Sequence, residues 1–178
     1  TVEAGRVRVV DAVSTSLHSG PLLVTGGTLE SHLYYDPDTV MVGGPSAELT
    51  GFGLQAARTL EIRDGAKLTI RSCFSGFSGN PVVLQDAYLN PEFTHCDYSY
   101  NPILSSSPSP VSGTFANYPD GTMISAGGRR YKIRYDGWLI SIRPIPGVPY
   151  DLDRDTKADI STFRPSDGTW YSQPASGY

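Results

Sequence analysis

The chain predicts an all-β fold: a short β-solenoid-like or β-sandwich body followed by a small C-terminal β appendage. Three observations carry this reading. Apolar and polar residues alternate in short segments, the signature of half-buried strands. Nineteen Gly and fourteen Pro among 178 residues punctuate those segments. The longest stretches free of both, 6–19 and 150–164, show no sustained helical period of apolar residues. Eleven Tyr, six Phe and two Trp supply core side chains, and only 18% of residues are charged, against about 25% in an average domain. Such a composition excludes global disorder, which goes with few aromatics and high charge.

In chain order, Val2, Val7 and Val9 mark a first strand at the N-terminus. Four alternating pairs follow: Leu22 and Val24, Val40 and Val42, Leu60 and Ile62, Val82 and Leu84, at spacings of 18, 20 and 22 residues. Gly26-Gly27, Gly43-Gly44-Pro45 and Gly79-Asn80-Pro81 fall between them. A period near 20 with a strand and a turn per unit fits a solenoid, whose turns bury their faces on one another. A sandwich of antiparallel strands with frequent turns accounts for the same punctuation. Residues 59–70, with Asp64-Gly65 at the centre, read either as a hairpin or as a solenoid corner. Between 74 and 111, Asn-Pro recurs at 80, 90 and 101, each a turn or strand-end signal. Residues 105–110, four Ser and two Pro, form a low-complexity loop. Residues 131–142 predict a hairpin with Asp136-Gly137 as its loop, pairing Tyr135 with Trp138, Ile133 with Ile140 and Tyr131 with Ile142. All six then share one face, with Lys132 and Arg134 on the other. Three prolines within 143–149 forbid a central strand. The chain therefore divides into a β-rich body (1–143), a Pro-rich linker (144–149) and an appendage (150–178).

Cys73 and Cys96 are the only cysteines. They read as a disulfide worth about 3 kcal/mol in the chain-entropy account; two small buried thiols are the competing reading. No stretch approaches the roughly 20 apolar residues of a membrane-spanning helix. A net charge of −4 argues against nucleic acid as partner. The first residue is Thr, so the chain is either processed or a segment of something longer; a removed signal peptide would explain it, and the expected location is extracellular or at the cell surface.

The strongest motif is Tyr150-Asp-Leu-Asp-Arg-Asp-Thr-Lys-Ala-Asp-Ile160. Asp151, Asp153, Asp155 and Asp159 occupy positions 1, 3, 5 and 9 of a loop, with the Lys157 carbonyl at position 7. Closely spaced hard oxygens of this kind suit Ca²⁺; an acidic surface turn is the plainer reading. Residues 151–171, from this loop through Ala158-Asp-Ile160, Phe163-Arg-Pro165 and Trp170-Tyr171, resemble the FG-GAP/VCBS-type repeat of bacterial surface proteins. The resemblance implies a calcium loop held by Asp151, Asp153, Asp155, Lys157 (carbonyl) and Asp159, then two strands. The family usually has Gly where Arg154 and Thr156 stand, and carries several such repeats where this chain has one. A second resemblance covers Ser112-Gly-Thr-Phe-Ala-Asn-Tyr-Pro-Asp-Gly-Thr122 and Gly127-Gly-Arg-Arg-Tyr-Lys-Ile-Arg-Tyr135. This stretch is similar to the closing segment of autotransporter-like secreted β-repeat proteins. It implies a secreted, repetitive β-architecture and carries no catalytic residue.

Enzymatic readings find little support. His18, His32 and His95 lack zinc-ligand spacing. His95 and Cys96, as strand neighbours, point to opposite faces. No Gly-x-Ser-x-Gly elbow occurs, and Asp36 and Asp38 flank Pro37 in what reads as a solvated turn. Arg129, Arg130, Lys132 and Arg134 form a basic run, a solvated strand face or a contact for an anionic glycan or an acidic subunit. The expected function is a non-enzymatic structural subunit that self-assembles into a surface fibre or layer, a homo-oligomer or polymer. Its contacts would run through the N-terminal strand (Val2, Val7, Val9) and the appendage (Ile160, Phe163, Trp170, Tyr171). The competing expectation is a carbohydrate-binding adhesin module that uses Tyr34, Tyr35, Tyr98 and Tyr100 as a stacking platform for surface glycans.

Overall fold

The computed structural model describes residues 3–9, 21–31, 37–51, 53–56, 58–93, 96, 99–105, 110–145 and 160–173. Eighteen strands and no helix occur among them. The chain forms two compact units, Thr1–Pro144 and Ile145–Tyr178.

The first unit is a β-solenoid. Its first sheet stacks β2 (Leu22–Val24), β4 (Val40–Gly43), β7 (Leu60–Arg63), β10 (Val82–Gln85) and β13 (Val111–Ser112) in parallel. The second stacks β1 (Arg6–Val9), β3 (Gly27–Ser31), β5 (Ala47–Gly51), β8 (Lys67–Ile70) and β11 (Tyr88–Pro91), also in parallel. The third begins with β6 (Gly53–Gln55), β9 (Gly76–Gly79) and β12 (Tyr100–Ser105). Each complete turn therefore contributes one strand to each sheet. The parallel stacking decides for the solenoid and against the sandwich.

The repeating pairs read from the sequence lie in register in the first sheet. Leu22, Val40, Leu60 and Val82 align in one row, and Val24, Val42, Ile62 and Leu84 in the next. Leu29, Leu49, Leu68 and Leu89 form a corresponding row in the second sheet. Every member of these rows except Leu22 is buried. Stacking like on like is what lets each turn cover the apolar face of the one before it. The same close stacking restricts side chains at the corners. Gly51 has φ +122°, and a Cβ there would lie 1.8 Å from the Ser31 carbonyl oxygen of the preceding turn. Asp64 and Gly65, both at positive φ, turn the chain from the first sheet to the second. Residues 59–70 are therefore a corner and not a hairpin.

At its C-terminal end the solenoid changes mode. The third sheet continues through β16 (Leu139–Pro144), β15 (Arg129–Asp136) and β14 (Met123–Ala126), all antiparallel, with β16 pairing directly onto β12. The predicted 131–142 hairpin exists with a corrected register. Tyr135 pairs with Ile140, Ile133 with Ile142, and Asp136 with Leu139. The loop is Gly137-Trp138, with Gly137 at φ 54°, the position at which a II′ turn takes glycine. The slip amounts to two residues, so facing is preserved: Tyr131, Ile133, Ile140 and Ile142 are fully buried. Trp138 leaves the predicted face, becoming part of the turn and 58% exposed.

Residues 111–120 close the last turn. Asn117 acts as a substitute strand on the open edge of β11: the Leu89 N–H donates to its Oδ1 at 3.0 Å, and its Nδ2 donates to the Leu89 carbonyl at 2.8 Å. The Ala116 N–H donates to Ala87, two residues earlier on the same edge, at 2.8 Å. Beneath this closure Phe93 meets Tyr100 and Tyr131 edge-on, with ring centroids 5.5 and 5.0 Å apart. Cys73, in the corner after β8, is bonded to Cys96, after β11, with a Cα separation of 5.7 Å. The disulfide thus ties together successive turns.

The second unit contains an antiparallel pair, β17 (Ile160–Arg164) and β18 (Thr169–Gln173), with Phe163 opposite Trp170. Its turn is held locally: the Thr169 N–H donates to Asp167 Oδ1 at 3.0 Å, and Arg164 lies 4.7 Å over the Tyr171 ring.

Candidate functional site

The face with the clearest chemical character is the outer side of β14, β15 and β16. Strand alternation sends Tyr131 and Ile133 inward and Arg130, Lys132 and Arg134 outward. On β16 the same alternation puts Leu139, Ser141 and Arg143 outward. Register then sets neighbours across the sheet: Lys132 lies between Met123 and Arg143, and Arg134 is opposite Ser141. Like charges directly opposed, as Lys132 and Arg143 are, destabilise a sheet. Acidic neighbours compensate only in part. Arg134 reaches Asp120 at 3.3 Å and Arg143 reaches Asp136 at 3.6 Å, with all four side chains more than 40% exposed. Exposed pairs of this kind contribute about 0–1 kcal/mol each.

Two features border this face. Ser141 is 1% exposed, and its buried Oγ has no hydrogen-bond partner among the described residues. Towards the hairpin tip the surface becomes apolar: Leu104 is adjacent to Leu139 and 48% exposed, and Trp138 follows. The face therefore grades from cationic to apolar along the strands.

On the inner side, the Tyr135 hydroxyl donates to the Tyr118 carbonyl at 2.7 Å and accepts the Phe115 N–H at 3.0 Å. Burial, aided by the nearby Asp120 charge and opposed by the Phe115 N–H, pushes its phenol up to about 12. Tyr100 is also raised, by burial and then by Tyr131, and its hydroxyl has no hydrogen-bond partner among the described residues. The Cys96 N–H donates to the Tyr131 hydroxyl at 3.1 Å.

The residues singled out from sequence fall as follows. Asp151, Asp153, Asp155, Lys157 and Asp159 lie outside the described residues, as do Val2, Tyr34, Tyr35, Tyr98, His18, His32, His95, Asp36 and most of the 144–149 linker. Among the described residues no group of three or more His, Cys, Asp or Glu is placed to hold a metal ion. Tyr100 is buried at 6% exposure and packs on Phe93, so it offers no stacking surface. Asp38 pairs with Arg58 at 3.0 Å. Val7 and Val9 belong to β1, which pairs in parallel with β3. Ile160, Phe163, Trp170 and Tyr171 belong to the two-stranded sheet, where Phe163 and Tyr171 are 44% and 46% exposed.

Sequence reasoning identified the basic run but missed the Lys132–Arg143 opposition, which depends on the true hairpin register. It also missed Ser141 and the Asn117 closure. Gly137 at the first loop position was the available signal for the register; nothing local marks Asn117.

Among the described residues no helix is long and apolar enough to cross a membrane. No protein-family model matches the chain, and neither a curated protein nor a solved structure matches it.

Proposed function

We propose that this chain is a non-enzymatic, extracellular structural subunit that self-assembles into a surface fibre or layer through β-strand contacts. The observation that carries the reading is the set of strand edges without a partner among the described residues. In the solenoid, β1 pairs only with β3 and β2 only with β4. In the second unit, β17 and β18 pair only with each other and expose Phe163 and Tyr171. Isolated two-stranded sheets are marginal in water, and unpaired edges invite strand addition. The extracellular setting is supported by the Cys73–Cys96 disulfide, a bond that persists in oxidising compartments. The resemblance of residues 151–171 to FG-GAP/VCBS-type repeats adds Ca²⁺, held by Asp151, Asp153, Asp155, Asp159 and the Lys157 carbonyl.

The test is negative-stain electron microscopy and sedimentation of the full chain, with millimolar Ca²⁺ and with excess chelator. Polymers are expected, and removal of residues 1–10 or 150–178 abolishes them while the solenoid keeps its β circular dichroism. A full chain that stays monomeric at high concentration with Ca²⁺ overturns the assembly reading. Identical melting in Ca²⁺ and in chelator, with no heat of Ca²⁺ binding, overturns the calcium part alone.

A further inference from the structure

We infer that the outer face of β14–β16 binds an acidic polysaccharide, a linear glycan bearing sulfate or carboxylate groups, through Lys132, Arg134 and Arg143 with Trp138 at its edge. The binding is separate from self-assembly and does not depend on it.

Lys132 is fixed directly opposite Arg143 by the antiparallel pairing, a juxtaposition of like charges that disfavours the sheet and that a bound anion relieves. Arg134 is two residues further along β15, roughly 7 Å away at the usual strand rise. Arg130 continues the row in the other direction, so the cations extend over roughly 14 Å. One small oxyanion cannot bridge that length, whereas a chain with charges repeated along it can. The side chains of Arg134 and Arg143 are held by exposed pairs to Asp120 and Asp136, and these release at little cost. Ser141, opposite Arg134 in the register, has a buried Oγ without a hydrogen-bond partner among the described residues.

The apolar end selects among polyanions. Trp138 is 58% exposed on the two-residue hairpin loop, and an indole so placed stacks on the apolar face of a sugar ring. Nucleic acid fits less well. Duplex DNA carries a charge about every 1.7 Å, while the protein has net charge −4 and a short row of cations. The sparser charge of an acidic glycan matches that row.

The experiment is titration calorimetry of the full chain at low salt with a heparin-derived oligosaccharide and an oligouronate of defined length. A neutral glucan and a DNA duplex of equal length are the comparators. Binding of at least one acidic glycan is expected, weakening as salt rises, with no binding of the glucan and at least tenfold weaker binding of the DNA. The double variant Lys132→Gln/Arg143→Gln is expected to lose at least tenfold in affinity, and Trp138→Ala severalfold. Lys67→Gln, on the second sheet, is expected to bind as the parent does. Circular dichroism and melting of each variant establish that it is folded; if the double variant misfolds, Lys132→Gln alone is expected to lose about threefold. Absence of binding to either acidic glycan overturns the proposal. So does equal loss in Lys67→Gln, full affinity in the folded charge variants, or DNA binding as tight as glycan binding.

Discussion

Asn117 stands on the surface, where most substitutions change stability by less than about 0.5 kcal/mol, yet its removal is expected to cost several times that. Its amide supplies both partners of the Leu89 backbone, at 3.0 and 2.8 Å, and Leu89 is 2% exposed at the last turn of the leucine row. In Asn117→Ala both bonds disappear together. A hydrogen bond contributes about 0.5–1.5 kcal/mol net, and a buried group left without a partner costs more, so the expected loss is about 2 kcal/mol. At this chain length each kcal/mol shifts the melting temperature by about 2–4 °C, giving a fall of about 4–8 °C. Asn117→Asp keeps the acceptor for the Leu89 N–H, but loses the donor and sets a carboxylate against the Leu89 carbonyl. It is expected to be no more stable than the alanine variant at neutral pH. Thermal melts followed by circular dichroism give the global effect, and amide exchange at Leu89 gives the local one. An alanine variant that melts within about 1 °C of the parent, with Leu89 exchange unchanged, would refute the view that a side chain closes this edge.

Three further outcomes follow from the same structure. Reduction of Cys73–Cys96, a separation of 23 residues, is expected to lower stability by about 3 kcal/mol; denaturant unfolding with and without reductant checks it, and coincident curves would count against a structural role. Gly51→Ala is expected to destabilise by at least about 2 kcal/mol, because a positive φ and a collision with the Ser31 backbone coincide; an unchanged denaturation midpoint would contradict the stacking. Tyr135 is pushed up to about 12, so the folded state holds its proton more tightly than the unfolded chain, where a phenol titrates near 10. That contribution is complete below about pH 10 and is lost as pH rises towards about 12. Tyr135→Phe should therefore be less stable than the parent at neutral pH and show a shallower decline over that alkaline interval. A parallel decline would mean that Tyr135 does not carry it.

The sequence determined the elements that depend on neighbours along the chain. Period-two alternation made the strands of Leu22–Val24, Val40–Gly43, Leu60–Arg63 and Val82–Gln85 legible, because each must bury one face. Their near-regular spacing pointed to stacking, and the only two cysteines of the chain pointed to a bond. Alternation alone could not choose between a solenoid and a sandwich, because both bury the same face of each strand. Tertiary structure decided that choice by aligning the rows turn over turn. It likewise decided the hairpin register: parity of facing, which hydrophobicity enforces, is unchanged by a slip of two residues, so Trp138 could be in or out. From that register alone come the opposition of Lys132 to Arg143 and the position of Ser141 opposite Arg134. Asn117 was beyond sequence for a related reason. Its role is set by a backbone 28 residues away, and a polar residue in a Gly- and Pro-rich turn reads locally as nothing more than part of the turn.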